Sequence, residues 1–493
     1  MTESLKEKTA RGFAWSTVSN LSQIVMNVGF GIVLARLLSP SDYGMVGLLS
    51  IFGLIASALQ DSGFRVALAN RKEIRHEDYN AVFWFNVAVG VGLYVLLFAC
   101  APLITAFYQQ TERGSQQDLS ALTALARYTF LGFVFASFGT AHCAYLFRTL
   151  QVKQKAIITV TSLSTSSLVG ITMAYMGFAY WGIATQSMVF TLCNTLLFWH
   201  FSHWRPTLSV SFQPLKEMFG FSSRLLVTDI FAHINNNLLT IVLGRFYSVQ
   251  DVGYFNQANK WTYMGSNTLM GVVKEVAQPV LRGVQEEQER QKRVFRKMLR
   301  LTSLLTFPAL LGLALIAREL VLITITDKWW ESISLMQLLC IGGAALPIQH
   351  LCLNLVVSRG RSDLVMWNTI AIGCVQVAAA LLSHPYGIHT MVIVYVAVNL
   401  AWVGVWLAFV RRETGLRLRE ALADMMPYAI CAAATMALTA LLLRGIEQCW
   451  LLLVLKMVVA ATLYALFMWL SGSRMFRECV EFALRRGAYA HKR

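Results

Sequence analysis

Apolar runs of about 20 residues, each long enough as a helix to cross roughly 30 Å of hydrocarbon, recur from residue 13 to residue 471, with short polar or charged breaks between them. Runs and breaks together predict helices over 13–38, 43–60, 81–107, 119–139, 156–176, 178–200, 219–246, 253–281, 298–317, 332–357, 364–383, 388–410, 425–444 and 449–471. The expected fold class is all-α, a polytopic membrane protein with about 14 transmembrane helices.

Three of these segments carry polar residues at helical spacing. In the first, Ser16, Asn20, Gln23 and Asn27 are 4, 3 and 4 apart and share one face. The seventh holds Asp229, His233 and Asn236 on one face, with Asn235 and Asn237 nearby, and the eighth holds Asn256, Lys260, Tyr263, Asn267, Lys274 and Gln278. An unpaired Lys or Asp at mid-bilayer costs on the order of 2.5 to 3.5 kcal/mol even on lenient insertion scales, so such side chains face a cavity or one another. Two readings stay open: Asp229 and Lys260 pair to hold their helices together, or the stripes line a hydrated cationic cavity. Such a cavity, with Lys260, Lys274 and Arg127 in its wall, suits an anionic cargo such as a phosphate. Tyr254, Trp261 and Tyr263 are placed either as interfacial anchors or to stack on sugar faces.

The stripes also belong to a repeat. "IVLARLLSPSDYG" at 32–44 returns as "IVLGRFYSVQDVG" at 241–253, a constant offset of 209 with seven identities in thirteen positions, and the same offset maps Asn20 onto Asp229 and Asn27 onto Asn236. Six predicted helices separate the copies. An even spacing returns the chain to the same membrane face, which predicts two parallel-repeat six-helix lobes around a central cavity. The lobes are expected at 1–210 and 211–413, and residues 414–493 add two further transmembrane helices and a basic cytoplasmic tail. Within the phrase, Pro40 cannot continue a helix, Ser39 or Ser41 can cap the next one, and Arg36 can snorkel.

Composition agrees with a bilayer: of 493 residues 56% are hydrophobic and 14% charged, against roughly a quarter charged in soluble domains. The net charge of +16 would suit nucleic acid if it were clustered, but it alternates. Thirty-two of the 42 Lys and Arg fall on one set of alternate segments and five, Arg36, Arg113, Arg245, Lys328 and Arg444, on the other. The positive-inside rule then places both termini in the cytoplasm and excludes a nucleic-acid partner. Of the cations inside helices, Arg318 and Lys456 are expected to snorkel. The basic link 282–300 is expected to lie against acidic membrane lipids and the amphipathic tail on the inner surface. "MTESLKEKTARGFAW" leads into a segment too long for a cleavable signal core. The nine cysteines contain no C-x-x-C pair and read as small buried hydrophobes.

Enzymatic and metal chemistry find no foothold. G-x-x-x-x-G-K-[ST], G-x-S-x-G and H-E-x-x-H do not occur, and His200 and His203 lack nearby carboxylates or cysteines, so no metal site and no resident cofactor are expected. The outer loops are short, the longest being near 108–118, which leaves little room for a polymerase or ligase site.

The opening "LKEKTARGFAWS", "LARLLSPSDYG", "DSGF" followed by "RKEIRHEDYNAVFWFNV", "FPALLGLAL", "DKWWES" and "SRGRSD" occur in this order along nearly the whole chain. In these the chain resembles the polysaccharide-transport (Wzx-type) branch of the multidrug/oligosaccharidyl-lipid/polysaccharide flippase superfamily, in particular the colanic acid exporter-like lipid-linked oligosaccharide flippases. The resemblance implies a secondary transporter of the bacterial cytoplasmic (inner) membrane, not an enzyme. It implies alternating access that moves undecaprenyl-diphosphate-linked oligosaccharide repeat units outward for surface polysaccharide synthesis. It further implies H+ or Na+ as coupling ion, and polysaccharide polymerase and chain-length machinery as partners. Its cavity-lining helices correspond to 13–38, 43–60, 219–246 and 253–281, which include the striped segments. Where related lipid II flippases carry an Arg-Asp pair in the first helix, this chain has Phe30-Gly31, so lipid II is not the expected cargo.

The expected substrate-binding residues are Lys260, Lys274, Arg127, Asn20, Gln23, Asn27, Asn236, Asn256 and Asn267. Asp229 is the expected ion-coupling carboxylate, because protonation or a bound cation changes its cost of burial; Glu275 is a second, unless it only neutralises its neighbour Lys274. A multidrug or cation antiporter of the same superfamily is the alternative, followed by a membrane polymerase or ligase and by a scaffold without transport.

Overall fold

The computed structural model describes residues 5–61, 68, 74–109, 120–149, 151–208 and 213–481. The segment 110–119, expected as an outer loop, the "SGF" of "DSGF" and the tail from 482 lie outside the described residues, as do the side chains of Ser16, Asp229 and Glu275. Among the described residues there are helices and turns but no strand. The chain divides into two compact units, Met1–Gly253 and Tyr254–Arg493.

The first unit contains α1 (Leu5–Leu37), α2 (Pro40–Asp61), α3 (His76–Gln109), α4 (Ser120–Phe130), α5 (Gly132–Ser137), α6 (Thr140–Arg148), α7 (Val152–Tyr175), α8 (Tyr180–Phe201) and α9 (Gln213–Phe246). It extends past residue 210 because α9 packs on α2 and α3. The hairpin α7–α8 is held by small residues: Ser166, Ser167, Gly170 and Ala174 on one helix, Gly182 and Ala184 on the other, are all buried. Between helices in lipid, where water supplies no driving force, such close backbone approach is what packing requires. The predicted helix 119–139 is two helices, α4 and α5, with α6 beyond. At their far end the aromatic rings of Phe83, Trp199 and Trp204 lie against the buried His142, which stacks on Trp199 at 4.5 Å between centroids. "WHFSHW" is thus a packing element: the Trp199 indole donates to the Phe138 carbonyl at 2.8 Å and the Trp204 indole to His76 Nδ1 at 3.1 Å.

Helix α10 (Val249–Gly283) runs from the first unit into the second, followed by α11 (Gln288–Ile325), α12 (Trp330–Gly343), α13 (Leu346–Ser358), α14 (Ser362–Ser383), α15 (Ile388–Thr414), α16 (Leu418–Leu442) and α17 (Cys449–Leu470). The segment predicted at 298–317 is instead a helix of 38 residues. Its charged first part, "QERQKRVFRK", consists mostly of strong helix formers and simply continues the turn. The segment 332–357 is broken at Ala344–Ala345, after which Pro347, lacking an N–H, suits the first turn of α13. The core of this unit gathers Leu281, Phe295, Leu299, Leu351, Leu355, Trp406 and Val410, and a second cluster joins Leu304, Tyr428, Ala432, Tyr464 and Met468.

Helices overlap each of the predicted segments, but the expected count of fourteen transmembrane helices is not reached by length and composition. Eleven spans among the described residues are long and apolar enough to cross a membrane; α8, α9 and α10 are not among them. For α9 and α10 the reason is the polar residues they carry. All nine cysteines are unpaired; Cys143, Cys340 and Cys352 are buried, five are half-buried and Cys374 is exposed, so burial holds for only some of them.

Candidate functional site

Helix α10 has two faces of opposite character. Phe255, Ala258, Thr262, Ser266, Met270, Ala277 and Leu281 recur three, four or seven apart and are buried. Lys260, Tyr263, Asn267, Lys274 and Gln278, with the same rhythm one step round the helix, are exposed, and Asn256 is half-buried. The buried face is itself partly polar. Thr262 Oγ1 lies 3.5 Å from Cys340 Sγ, and Ser266 Oγ donates to the Gly343 carbonyl at 3.4 Å. Behind it a small space of about 50 Å³ is lined in part by Asn259, Tyr395 and Asn399. Gln349 Nε2 donates to the Asn399 carbonyl at 2.8 Å, and Gln376 Nε2 to Asn399 Oδ1 at 3.3 Å.

The candidate cations are placed differently from one another. Lys260 and Lys274 have no ion pair or hydrogen bond among the described residues. Arg127, on α4, is instead engaged: its guanidinium lies over the Phe98 ring at 4.2 Å from the centroid, and Nε donates to the Phe98 carbonyl at 3.4 Å. In the first unit Asn20 and Asn27 of α1 and Asn236 of α9 are exposed and Gln23 is half-buried. Asn237, next in sequence, turns back to donate to the His233 carbonyl at 3.0 Å. Of the aromatics on α10, Tyr263 is 46% exposed on the lysine face, whereas Tyr254 packs edge-on against the buried Trp329.

The repeated phrase is mechanical, and its chemistry is the same in both copies. Ser39 Oγ donates to Asp42 Oδ2 at 2.7 Å and accepts from the Asp42 N–H at 3.3 Å, while Asp42 accepts the Ser39 N–H at 2.8 Å. Ser248 and Asp251 repeat this at 2.7, 3.1 and 3.2 Å. Each is a reciprocal cap that satisfies the orphan donors at a helix start, on α2 and on α10. The glycine ending each copy has a separate reason. A methyl group on Gly44 would stand 1.9 Å from the Val249 carbonyl oxygen, and one on Gly253 would stand 1.8 Å from that of Pro40. Pro40 and Val249 are themselves equivalent at the offset of 209, so the two copies press backbone to backbone, each glycine against the other's first turn.

Two ionic features escaped the pattern. Lys456, expected to snorkel, does not: its Nζ lies 2.8 Å from Glu319 Oε1 and 3.2 Å from the Leu315 carbonyl, and Glu319 is 2% exposed. This pair joins α17 to α11, and no signal within either segment points to it. Arg318, next to Glu319, is exposed and sits over the Trp330 ring, as a snorkelling residue should. The second feature is Asp424, buried at the start of α16, which receives Arg296 Nε at 2.6 Å and Arg300 Nε at 2.6 Å.

Comparison with known proteins agrees with this architecture. A family described as polysaccharide biosynthesis protein matches residues 33–334. The lipopolysaccharide biosynthesis protein WzxC of Escherichia coli (strain K12) is 27% identical over 368 residues, covering 73% of this chain and 72% of that protein. The teichuronic acid biosynthesis protein TuaB of Bacillus subtilis (strain 168) is 22% identical over 366 residues, 74% of each chain. Among solved structures, the lipid II flippase MurJ in an inward closed conformation matches with a TM-score of 0.76 at 12% identity, over 94% of this chain and 99% of that one. An inward-facing multidrug resistance MATE family transporter of the MOP superfamily matches with 0.64 at 17% identity, over 80% and 94%. At such identities the structural matches speak for the fold, which is of the MurJ and MATE kind.

Proposed function

The chain belongs to the polysaccharide biosynthesis protein family, and from that premise we propose that it is a flippase that moves lipid-linked oligosaccharide units outward across the cytoplasmic membrane, carrying a diphosphate past the lysine face of α10. It is a multi-pass transporter rather than an enzyme. The observation that carries the reading is the pair of cations Lys260 and Lys274, which have no ion pair or hydrogen bond among the described residues, on the exposed face of a helix whose other face is buried. Against acyl chains each lysine would cost on the order of 2.5 to 3.5 kcal/mol; against water and a diphosphate each is favourable. Low-dielectric walls strengthen the field of these fixed charges, and Tyr263 on the same face can stack on a sugar ring. On the same helix Asn256 and Asn267 supply neutral donors and acceptors for hydroxyl groups.

The cargo is an undecaprenyl-diphosphate-linked repeat unit whose long tail stays in the bilayer while the head group crosses by alternating access. Asp229 couples the cycle to H+ or Na+, with Glu275 as the second carboxylate. Both termini lie in the cytoplasm, and the glycan delivered outside serves a polymerase and its chain-length machinery. Cationic cargo fits the lysine face less well than a diphosphate, because fixed positive charge repels it.

The test is surface polysaccharide made by cells that depend on this chain. Lys260→Ala and the Lys260→Ala/Lys274→Ala double variant are expected to lose most of it at equal protein level, while Lys260→Arg retains it. Full polysaccharide from the double variant, or efflux of small cations by the unmodified protein, would sink the reading.

A further inference from the structure

The two helices with no counterpart in the first half, α16 and α17, enclose with the start of α11 and the segment after α17 a pocket of about 610 Å³. None of its lining residues is on α10. Five cations face it, Arg293, Arg296, Lys297, Arg300 and Arg474, against two carboxylates, Asp424 and Glu478. Asp424 serves two guanidinium groups, receiving Arg296 through both Nε and Nη2 at 2.6 and 3.2 Å and Arg300 at 2.6 Å. Glu478 takes Lys297. Arg293 and Arg474 are exposed and have no acceptor among the described residues, so the pocket remains positive after its internal pairs are counted.

Beside these charges the lining includes an apolar part, Pro427, Cys431 and Met468. Just beyond, Arg477 lies over the ring of the exposed Trp469 at 5.7 Å, an amphipathic pairing of the kind that settles at headgroup level. Arginine forks match phosphate oxygens, and basic pockets between helices on the cytoplasmic side of a membrane suit anionic headgroups. A free phosphate would use the arginines and leave the apolar part unused. A phospholipid uses both.

We propose that this pocket binds the headgroup of an anionic phospholipid, its phosphate on Arg293 and Arg474 and its glycerol and first acyl carbons along Pro427, Cys431 and Met468. The pocket gives the appended pair of helices a role as a lipid clasp on α11, separate from the cargo path. Because Arg293 and Arg474 are exposed and unpaired, their removal leaves no buried charge behind and the fold intact.

The full chain, purified and delipidated in detergent, is titrated with phosphatidylglycerol, phosphatidylcholine or inorganic phosphate and read by native mass spectrometry. Phosphatidylglycerol is expected to bind best, and Arg293→Gln/Arg474→Gln to weaken it about thirtyfold. The Arg290→Gln/Arg412→Gln variant, which removes the same charge outside the pocket, is expected to leave it within about threefold. Equal weakening in both variants would reduce the effect to surface charge and overturn the proposal, as would phosphatidylcholine or inorganic phosphate binding as tightly as phosphatidylglycerol.

Discussion

Lys456 and Glu319 show what a single side chain conceals when read along the chain. Each stands alone in an apolar run, and they lie 137 positions apart, so nothing local distinguishes a lysine that reaches for the interface from one that finds a carboxylate. Burial decides between them. Glu319 Oε2 has no hydrogen-bond partner among the described residues, so this carboxylate depends on the one lysine and on its other oxygen. Removing one member of such a buried pair costs about 3–5 kcal/mol, whereas replacing both with apolar residues of similar size is often neutral or stabilising. Thermal unfolding in detergent should therefore show Lys456→Met and Glu319→Leu each melting well below the unmodified protein and the double variant recovering most of the loss. A Lys456→Met protein as stable as the original would mean that the lysine contributes no pairing. The lysines of α10 present the opposite case: their spacing puts Lys260, Tyr263, Asn267 and Lys274 on one stripe of the helix, and the structure leaves that stripe exposed.

The sequence left the first cap open between Ser39 and Ser41, and the structure assigns it to Ser39, whose reciprocal bonds with Asp42 recur at Ser248 and Asp251. What the two glycines do was not legible. Identity at the offset of 209 marked Gly44 and Gly253 as equivalent, but only the packing reveals that each lies under the other copy's first carbonyl. A backbone carbonyl cannot swing aside as a side chain can. Gly44→Ala and Gly253→Ala are thus expected to destabilise by about 1–3 kcal/mol or more, measured as a lowered melting temperature. Gly29, on α1 with nothing near its missing Cβ, is the matched control, where alanine should be neutral or stabilising by up to about 1 kcal/mol because it favours the helix. Melting temperatures that fall equally at Gly29 and Gly44 would show that the close approach is not what matters. Helix lengths followed the same division: α11 outran its predicted span because charged helix formers continue a helix beyond the bilayer, where hydropathy no longer registers them.

For the molecule as a whole, the alternation of basic segments makes a firm claim about topology. A fluorescent-protein fusion at residue 481 should light up in the cytoplasm, and alkaline phosphatase inserted near Arg113 should be active outside; the reverse pattern would invert every assignment of loops to sides. Hydrophobic length, helical spacing and charge alternation are chain-local quantities, which is why the sequence by itself determined that this protein is a helical membrane protein, where its apolar helices stand, and which stripe of α10 is polar, while its ordered motifs carried the family resemblance. Contacts between distant segments are not chain-local. Only the tertiary structure decided that Arg127 is held by Phe98, that Glu319 receives Lys456, that the duplicated turns meet backbone to backbone, and that α16 and α17 shape a basic pocket on α11. In each of these the energy depends on a partner far away in sequence, and no periodicity records who that partner is.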